Sequence, residues 1–428
     1  MNFYDNVNSE YKALLNDAKK EKRLGMHSFH RYYGKLIPAI PRAYIRNFTE
    51  EEDIVFDPFS GSGTVALEAK YLNREFVGVE INPLSVMISK IKTENYDIEC
   101  LNSLYNQLKE LVYSDNNIVN DEEVPFCINR DHWFKNYVQH DLVKIERNIP
   151  IAVEDVIECL EEQKKYTNFL YGVLSAIIKQ VSNSDTMHVF PGISKRMRKL
   201  EAEGKININV FETYFRCLKK RISYVEELEN KNKIPTIIND DSAKIDLNIY
   251  KDKIDLIVTN PPYISSVRYA ETLKLELYWM EVTRNQKEYC DLSKAMIGND
   301  HISSKDCREL YLTNYEFINE YIKKLFEIDK KQAKVVYDFF TLMERVIKNM
   351  HYVLKKGKKV VMKISDSRIR KIIIPTGKLL TMIAELNGFK FIDNFNDKIN
   401  ENSRSLLTAR NTYSGIILED NIIVWEKK

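Results

Sequence analysis

The sequence predicts an α/β fold in which a parallel-rich sheet is interrupted by a mostly helical section. Short apolar, β-branched runs alternate with helix-like segments near both ends of the 428-residue chain, as expected for strands joined by crossover helices. Between about residues 100 and 235 this alternation is absent, and the apolar residues follow a helical period. A chain of this length is long enough to form several domains around sizeable cores.

The first strand–turn–helix unit lies in DIVFDPFSGSGTVALEAKYL, residues 53–72. Its apolar strand runs to Asp57, two glycines follow, and a helical apolar pattern begins after Gly63. A second strand is predicted in EFVGVEINP, residues 75–83, where Asn-Pro ends it. An amphipathic helix is predicted before both strands, over residues 5–24.

Strand–helix alternation returns after residue 235. The apolar patterns there predict two helices, over residues 330–354 and 376–387. They also predict strands over residues 236–241, 254–263, 358–367, 389–393 and 416–426. The sheet is therefore built from two stretches of chain that the helical section separates.

Composition argues against several classes of protein. The 64 basic and 62 acidic residues nearly balance, so a nucleic-acid surface has to be a local patch. The six cysteines lack CxxC or metal-ligand spacing and the seven histidines lack an HExxH motif, which predicts reduced thiols and no bound metal. The polar N-terminus and the absence of 18 consecutive apolar residues predict no signal peptide and no membrane contact, hence a cytoplasmic protein.

The glycine turn at residues 61–64 offers backbone N–H groups and a helix N-terminus to a ligand. Glu80 ends the next strand, where its carboxylate can accept hydrogen bonds from ribose hydroxyls. A P-loop is disfavoured because no lysine follows the glycines, whereas a dinucleotide, S-adenosylmethionine and a purely structural turn all remain compatible. Asp57 favours S-adenosylmethionine, because a carboxylate there holds the cofactor's ammonium group and repels a pyrophosphate.

The motifs DPFSGSGT, GVEINP and TNPPY together resemble the cofactor and catalytic motifs of the amino-methylating DNA methyltransferases, which methylate N6 of adenine or N4 of cytosine. HRYYGKLIPAIPRAYIRNF, residues 30–48, is similar to the family's segment that closes over the methionine end of the cofactor. INDDSAKIDL, residues 238–247, is similar to its strand-end acidic motif, and FFTLMERVIKNMHYVLKKGKKVVMKISDS resembles its later helix and strand. The resemblance covers residues 27–95 and 236–428.

This resemblance implies a Rossmann-like S-adenosylmethionine-dependent methyltransferase sheet with a helical insertion domain. It divides the chain into an N-terminal helix (1–26), a cofactor-binding half (27–99), a helical insertion that is the candidate target-recognition region (100–235) and a catalytic half (236–428). Asp241 is placed to accept from the adenine amine of the cofactor. The implied cofactor-binding residues are Tyr33, Lys35, Pro38, Asp57, Pro58, Phe59, Ser60, Gly61, Gly63, Thr64, Glu80, Ile81, Asn82, Asp241 and Ser242.

The predicted catalytic group consists of Asn260, Pro261, Pro262 and Tyr263. An aryl amine is a poor nucleophile because its lone pair is delocalised into the ring. The Asn260 side-chain oxygen and the Pro261 carbonyl are the predicted acceptors for its two N–H groups, which favours a pyramidal nitrogen with a localised lone pair. Tyr263 is predicted to stack on a base taken out of the duplex. Methylation at C5 of cytosine is not expected, because it uses a cysteine after a proline and no Pro-Cys pair occurs.

Double-stranded DNA is the expected partner, and a cognate restriction endonuclease the expected second one. Residues 194–221 hold nine basic and three acidic residues, which indicates either a phosphate-binding surface or a solvated helical face. A second basic run extends from Lys355 to Lys371, and the polar stretch 182–186 is predicted to be a loop that reaches a groove. The predicted DNA contacts are Lys195, Arg196, Arg198, Lys199, Arg368 and Arg370.

The target base and the substrate class have alternatives. Asparagine before Pro-Pro-Tyr favours adenine N6 over cytosine N4 within the family that the chain resembles. RNA base-amine methyltransferases carry similar motifs, but they usually add an RNA-binding module, and only about 25 residues precede the closing segment here. A nicotinamide dehydrogenase is the third alternative. The sequence therefore predicts a site-specific DNA methyltransferase that acts on the exocyclic amine of a flipped base, preferably adenine.

Overall fold

The computed structural model describes residues 9–228, 233–264, 268–300, 302–303, 305–398 and 419–428. The strands in these ranges are β1 (Ile54–Asp57), β2 (Glu75–Glu80), β3 (Thr236–Asn239), β4 (Ile254–Thr259), β5 (Leu354–Ile364), β6 (Ser367–Ile369), β7 (Ile372–Ile374), β8 (Phe389–Lys398) and β9 (Glu419–Lys427).

Helices α1 (Ser9–Lys20), α2 (Ala39–Phe48) and α3 (Thr64–Tyr71) come before β2. Those between β2 and β3 are α4 (Pro83–Thr93), α5 (Ile98–Ser114), α6 (Arg130–Trp133), α7 (Asn136–Val156), α8 (Leu160–Val181), α9 (Lys195–Ala202) and α10 (Val210–Glu226). After β4 follow α11 (Tyr269–Thr272), α12 (Lys274–Trp279), α13 (Gln286–Ala295), α14 (Glu316–Ile328), α15 (Lys330–Val353) and α16 (Thr376–Leu386).

One seven-stranded sheet organises the described residues, with the strand order β3-β2-β1-β4-β5-β9-β8. Its first five strands are parallel, whereas β9 is antiparallel to β5 and β8 is antiparallel to β9. This arrangement confirms the predicted Rossmann-like α/β sheet. Because β1 pairs with β2 on one side and with β4 on the other, the carboxyl ends of these strands meet at one edge, where such sheets bind their ligands.

Both faces of the sheet are covered. Phe56 belongs to a buried cluster with residues of α15 and α16, and the preceding Val55 belongs to a cluster with residues of α2 and α3. Successive side chains of a strand point to opposite faces, so a strand that is buried on both sides has an uninterrupted apolar sequence. All six residues of β4 are buried, and its sequence is apolar except for Asp255 and Thr259.

The section between β2 and β3 packs against the rest of the chain through a shared core. Buried residues of α5, α7, α8 and α10 form one cluster with Leu84 and Ile88 of α4. The same cluster includes Leu277 and Trp279 of α12, beyond the predicted boundary at residue 235. The helices at 100–235 therefore do not enclose a core of their own, and α12 belongs to the same packing unit.

Several boundaries differ from the predicted ones. β5 begins at Leu354, directly after α15, and the strand predicted to continue to residue 367 ends at Ile364. A hairpin of β6 and β7 follows, and α14 precedes α15; neither was predicted. The hairpin turn contains Arg370 and Lys371 at positive φ, where glycine or asparagine is the usual signal. Among the described residues, no helix is both long and apolar enough to cross a membrane.

Candidate active site

A cleft opens at the edge of the sheet where β1, β2, β3 and β4 end. It encloses about 820 Å³ of space, with the open mouth included. Predicted residues in its wall are Lys35, Asp57, Pro58, Phe59, Ser60, Gly61, Thr64, Glu80, Ile81, Asp241, Ser242, Asn260 and Pro262. The structure therefore brings the glycine turn and the residues after three other strands into one site.

The glycine turn and Glu80 hold each other in place. The Gly61 N–H donates to Glu80 Oε2 over 2.8 Å, and the Asn82 N–H donates to Oε1 over 2.8 Å. Each carboxylate oxygen has a further lone pair with which it can accept from a ligand. Burial raises the pKa of Glu80 to about 7, although these two N–H groups oppose the shift. Gly63 adopts φ 72° and caps α3 so closely to α4 that a Cβ would lie 2.2 Å from Ser89 Oγ.

Asp57 lies at the end of β1, beneath the glycine turn. Its Oδ1 accepts from the Phe59 N–H over 2.9 Å and from the Thr259 hydroxyl of β4 over 2.7 Å. Burial raises the pKa of Asp57 to about 7 despite these bonds, and the nearby Glu80 charge adds to the rise. The site thus contains two carboxyl groups, the buried Asp57 and the half-buried Glu80, and neither forms a salt bridge with a lysine or arginine of the described ranges.

The end of β3 closes the cleft on the side of the acidic motif. The Ser242 hydroxyl donates to the Pro58 carbonyl, which ties this segment to the glycine turn. Asp241 accepts from the Ala243 N–H over 2.9 Å and pairs with Lys244 over 2.8 Å. Asp241 therefore lines the cleft, and its salt-bridge partner Lys244 is exposed.

Asn260 follows β4 with its side-chain amide held from two directions. Its Nδ2 donates to the Gly34 carbonyl over 2.8 Å, and its Oδ1 accepts from the Tyr263 hydroxyl over 3.1 Å. These partners fix the amide orientation, because a carbonyl can only accept. The Tyr263 side chain belongs to a buried cluster and the residue is only 8 % exposed. The face predicted for stacking is therefore covered, and Tyr263 contacts the site through Asn260.

A buried ionic network fixes the segment that precedes α2. The Glu68 carboxylate of α3 accepts from Arg42 Nε and Nη2, both over 2.8 Å, and lies 2.7 Å from His27 Nε2. These interactions hold both ends of residues 27–42 against the helix that follows the glycine turn. Tyr32 then lies in the cleft wall, where Ser85 Oγ donates to its hydroxyl over 3.3 Å.

Six predicted site residues lie outside the cleft wall. Pro38 occupies the position before α2, Gly63 the cap of α3 and Asn82 the cap of α4. The other three are Tyr33, Pro261 and Tyr263. Lining residues that sequence reasoning missed are Tyr32, Gly34, Leu36, Ser62, Val65, Val79, Tyr269, Ala295, Met296 and Ile297. Tyr32 and Leu36 belong to the motif segment, whereas residues 295–297 carry no motif that could have identified them.

Three of the six side chains predicted to contact DNA form salt bridges within the protein. Arg196 pairs with Asp185 over 2.6 Å, and Lys199 lies 3.8 Å from Glu203. Arg370 pairs with Asp329 over 2.7 Å. The prediction that the polar stretch 182–186 reaches a groove is wrong for its centre: Ser182, Ser184 and Asp185 are buried and bond within their own loop.

The cleft fits the predicted cofactor. S-adenosylmethionine carries a sulfonium and an ammonium group, and the site offers the carboxyl groups of Asp57 and Glu80, neither of which is salt-bridged to a lysine or arginine of the described ranges. Its adenine ring needs an apolar surface, which Phe59, Ile81 and Ile297 supply. Within the described ranges, no group of three histidine, cysteine, aspartate or glutamate side chains is arranged to hold a metal ion.

Comparison with known proteins adds independent information. A family model described as DNA methylase matches residues 8–90, which include the closing segment, the glycine turn and Glu80. The chain is 26% identical over 420 residues to the type II methyltransferase M.MvaI of Kocuria varians, covering 92% of this chain and 88% of that protein. It is 23% identical over 464 residues to the type II methyltransferase M.BsoBI of Geobacillus stearothermophilus, covering 97% and 88%.

Among solved structures, the chain is similar to an S-adenosylmethionine-dependent methyltransferase from Methanosarcina mazei. The TM-score is 0.32 at 8% identity, over 90% of this chain and 96% of that one. The likeness to DNA methyltransferases therefore rests on the family model and on the two sequence relatives, each of which is matched over 88% of its length.

Proposed function

Because this chain belongs to the family of amino-methylating DNA methyltransferases, we propose that it methylates the exocyclic amine of one base in a specific duplex sequence, N6 of adenine. S-adenosyl-L-methionine is its cofactor. The observation that carries the proposal is the fixed amide of Asn260, which faces the same cleft as Asp57 and Glu80.

Asn260 has the geometry of an acceptor for the substrate amine. An amide oxygen accepts two hydrogen bonds, and the Tyr263 hydroxyl supplies one of them. We propose that one N–H of the target amine supplies the second and that the Pro261 carbonyl accepts from the other N–H. Two acceptors localise the nitrogen lone pair, and the adjacent prolines hold them without reorganisation.

The bound cofactor supplies an electrophilic methyl group. Asp57 is proposed to hold the cofactor's ammonium, Glu80 its ribose hydroxyls and Asp241 its adenine amine. The protein then needs no strong base, because the methylated amine loses its proton readily to water. Proximity and orientation at about 3 Å, together with the acceptors, provide the rate enhancement.

The target base has to leave the duplex to reach Asn260, as it does in other enzymes that modify bases. Since the Tyr263 ring is covered, we propose that Tyr263 positions Asn260, and that stacking requires the ring to become exposed. We place the enzyme in a restriction–modification setting with a cognate endonuclease. Lys195 and Arg198, which form no salt bridge with a described carboxylate, remain proposed phosphate contacts, as does Arg368.

The purified protein is expected to transfer methyl label from S-adenosylmethionine to duplex DNA. Digestion of that DNA to nucleosides and mass spectrometry should then yield N6-methyladenine. N4-methylcytosine would instead support the alternative target within the same family. Label in tRNA and none in DNA would make this an RNA methyltransferase and contradict the proposal.

Cofactor affinity is expected to fall as the pH is lowered from 7.5 to 6. Burial raises the pKa of Asp57 and of Glu80 to about 7, so both lose their charge in this window and can no longer attract a cation. The loss should be about one order of magnitude for each carboxylate that pairs with the cofactor. Among the other groups lining the cleft, Lys35 stays charged, since its lowered pKa is about 8.

Calorimetric titration at matched ionic strength measures this dependence. Asp57→Asn should make the dependence shallower by about one order of magnitude, because the substituted side chain cannot titrate and only Glu80 still does. An affinity that does not change between pH 7.5 and 6 would show that neither carboxylate faces the cofactor's cationic groups.

A further inference from the structure

A second cavity shares a wall with the active-site cleft. It encloses about 1140 Å³, with its open mouth included. Lys35 lines both spaces. On α11, Tyr269 lines the cleft and Thr272 lines the second cavity. The cavity therefore adjoins the segment whose Gly34 carbonyl holds the catalytic amide.

Five cationic side chains converge on this cavity from separate parts of the chain: Arg23, Arg31, Lys35, Lys179 and Arg221. Each donates to backbone carbonyls, which hold its position without neutralising its charge. Within the part of the chain that the structure describes, none of the five forms a salt bridge with a carboxylate.

The five cations outnumber the one acidic side chain that lines the cavity, Glu276, so a further anion would reduce their mutual repulsion. Burial lowers the pKa of Lys35 and of Lys179 to about 8, and the positive charge of Arg23 adds to the shift at Lys35. A phosphate group in the cavity would offset this repulsion and use donors that are already oriented. The arrangement therefore indicates a site for an anionic ligand.

One acidic side chain distinguishes this cavity from a simple phosphate site. Glu276 of α12 lines it, is 5 % exposed, and has no hydrogen-bond partner for Oε2. A buried acceptor without a partner is costly, so the ligand should bring a hydrogen-bond donor to it. A nucleotide carries both kinds of group: a phosphate, and base N–H groups from which a glutamate carboxylate can accept a hydrogen bond.

We propose that this cavity binds one nucleotide of the DNA strand beside the target base, with its phosphate against the five cations and a base N–H group on Glu276. This inference rests on the proposed function as a DNA methyltransferase. In this proposal the cavity serves both phosphate binding and sequence recognition. Its cations are held by backbone carbonyls and form no salt bridge with a described carboxylate.

The double variant Arg23→Gln and Arg31→Gln tests the phosphate-binding role of the cavity. Both side chains are exposed, and glutamine keeps a donor for the carbonyl that each arginine contacts. The control is Lys251→Gln with Lys253→Gln, which removes the same charge from exposed positions just before β4, at the opposite end of that strand from Asn260.

Fluorescence anisotropy with a labelled duplex, between 50 and 200 mM salt, provides the measurement. The slope of log affinity against log salt should become less steep by about 0.9 for each phosphate that the cavity variant no longer binds. The slope of the control should equal that of the unaltered protein. S-adenosylmethionine affinity verifies folding, and Arg31→Gln alone replaces the double variant if that affinity is abolished.

Glu276→Gln tests the base-binding role independently. Its preference for the methylated sequence over a random duplex should fall roughly 5- to 150-fold, the range expected when one hydrogen bond to a base is removed, while the salt slope stays at least as steep. The sequence itself comes from modification-sensitive sequencing of DNA that the unaltered protein has methylated.

The possible results distinguish the proposed function from the proposed nucleotide site. If the unaltered protein neither binds nor methylates DNA, the proposed function fails. If it methylates DNA but the arginine variants retain the full salt slope, the phosphate site is refuted. Unchanged sequence preference in Glu276→Gln would refute the hydrogen bond to the base.

Discussion

Asn260→Ala is expected to reduce turnover by about a hundredfold or more while S-adenosylmethionine affinity stays near normal. The side chain is the proposed acceptor that localises the amine lone pair, and loss of one preorganised polar group of this kind costs about two to three orders of magnitude in other enzymes. Its two hydrogen bonds, to Gly34 and Tyr263, lie within the site and contribute little to the core.

Single-turnover methyl transfer with saturating DNA measures this effect. Asn248→Ala is the matched control, because Asn248 is an exposed asparagine that precedes β4, whereas Asn260 follows it. Tyr263→Phe should give a smaller loss, since it removes the hydroxyl that orients Oδ1 but keeps the acceptor. Full turnover in Asn260→Ala would mean that the prolines only end a strand.

Glu80→Ala is expected to weaken S-adenosylmethionine binding by about 1.5–3 kcal/mol, or roughly 10- to 150-fold in Kd. The change removes the proposed ribose acceptor and leaves the Gly61 and Asn82 N–H groups without their carboxylate. Glu80→Gln separates these contributions, because the amide oxygen can still accept from one of them.

Calorimetry on the two Glu80 variants and on Glu75→Ala tests this prediction. Glu75 lies at the other end of the same strand, where it pairs with Lys233 over 2.9 Å on the surface. Its replacement should leave cofactor affinity unchanged. If Glu80→Ala also binds with unaltered affinity, the ribose does not contact Glu80.

Local sequence patterns identified the residues that follow strands. Asp57, Glu80 and Asn260 each end or follow an apolar run, and parallel strands bring such positions to one edge. The prediction for residues 30–48 was less accurate: Tyr32 and Leu36 line the cleft, whereas the predicted Tyr33 lines the second cavity. That segment is irregular, so no period indicates which side chains face inward.

Features that depend on distant contacts were not accessible in this way. Met296 and Ile297 reach the cleft only through tertiary packing. The stretch at 194–221 is rich in basic residues, but Asp185 and Glu203 already pair three of its cations, Arg196, Lys199 and Lys205. The cations of the second cavity come from positions between 23 and 221, and although Arg221 belongs to a local basic stretch, the sequence does not show that the five converge.

The sheet order has a consequence for how the chain acquires its function during synthesis. The Ile54 N–H donates to the carboxylate of Asp255, which is 201 residues later in the chain. β1 therefore cannot pair with β4 until the whole helical section has been synthesised. At about 5–20 residues per second this delay lasts roughly 10–40 s. Meanwhile the helices can begin to pack on one another, but their shared core is complete only when α12, which follows β4, has been made.

A nascent chain therefore exposes the glycine turn long before the turn can serve as a binding site. Asp57 acquires its Thr259 partner, and the pocket its Asn260 wall, only when the later strand arrives. A cofactor bound as proposed would bridge segments made at different times, and by mass action it would favour the closed sheet over an open one. The proposed site therefore predicts that cofactor supply promotes the maturation of newly made protein.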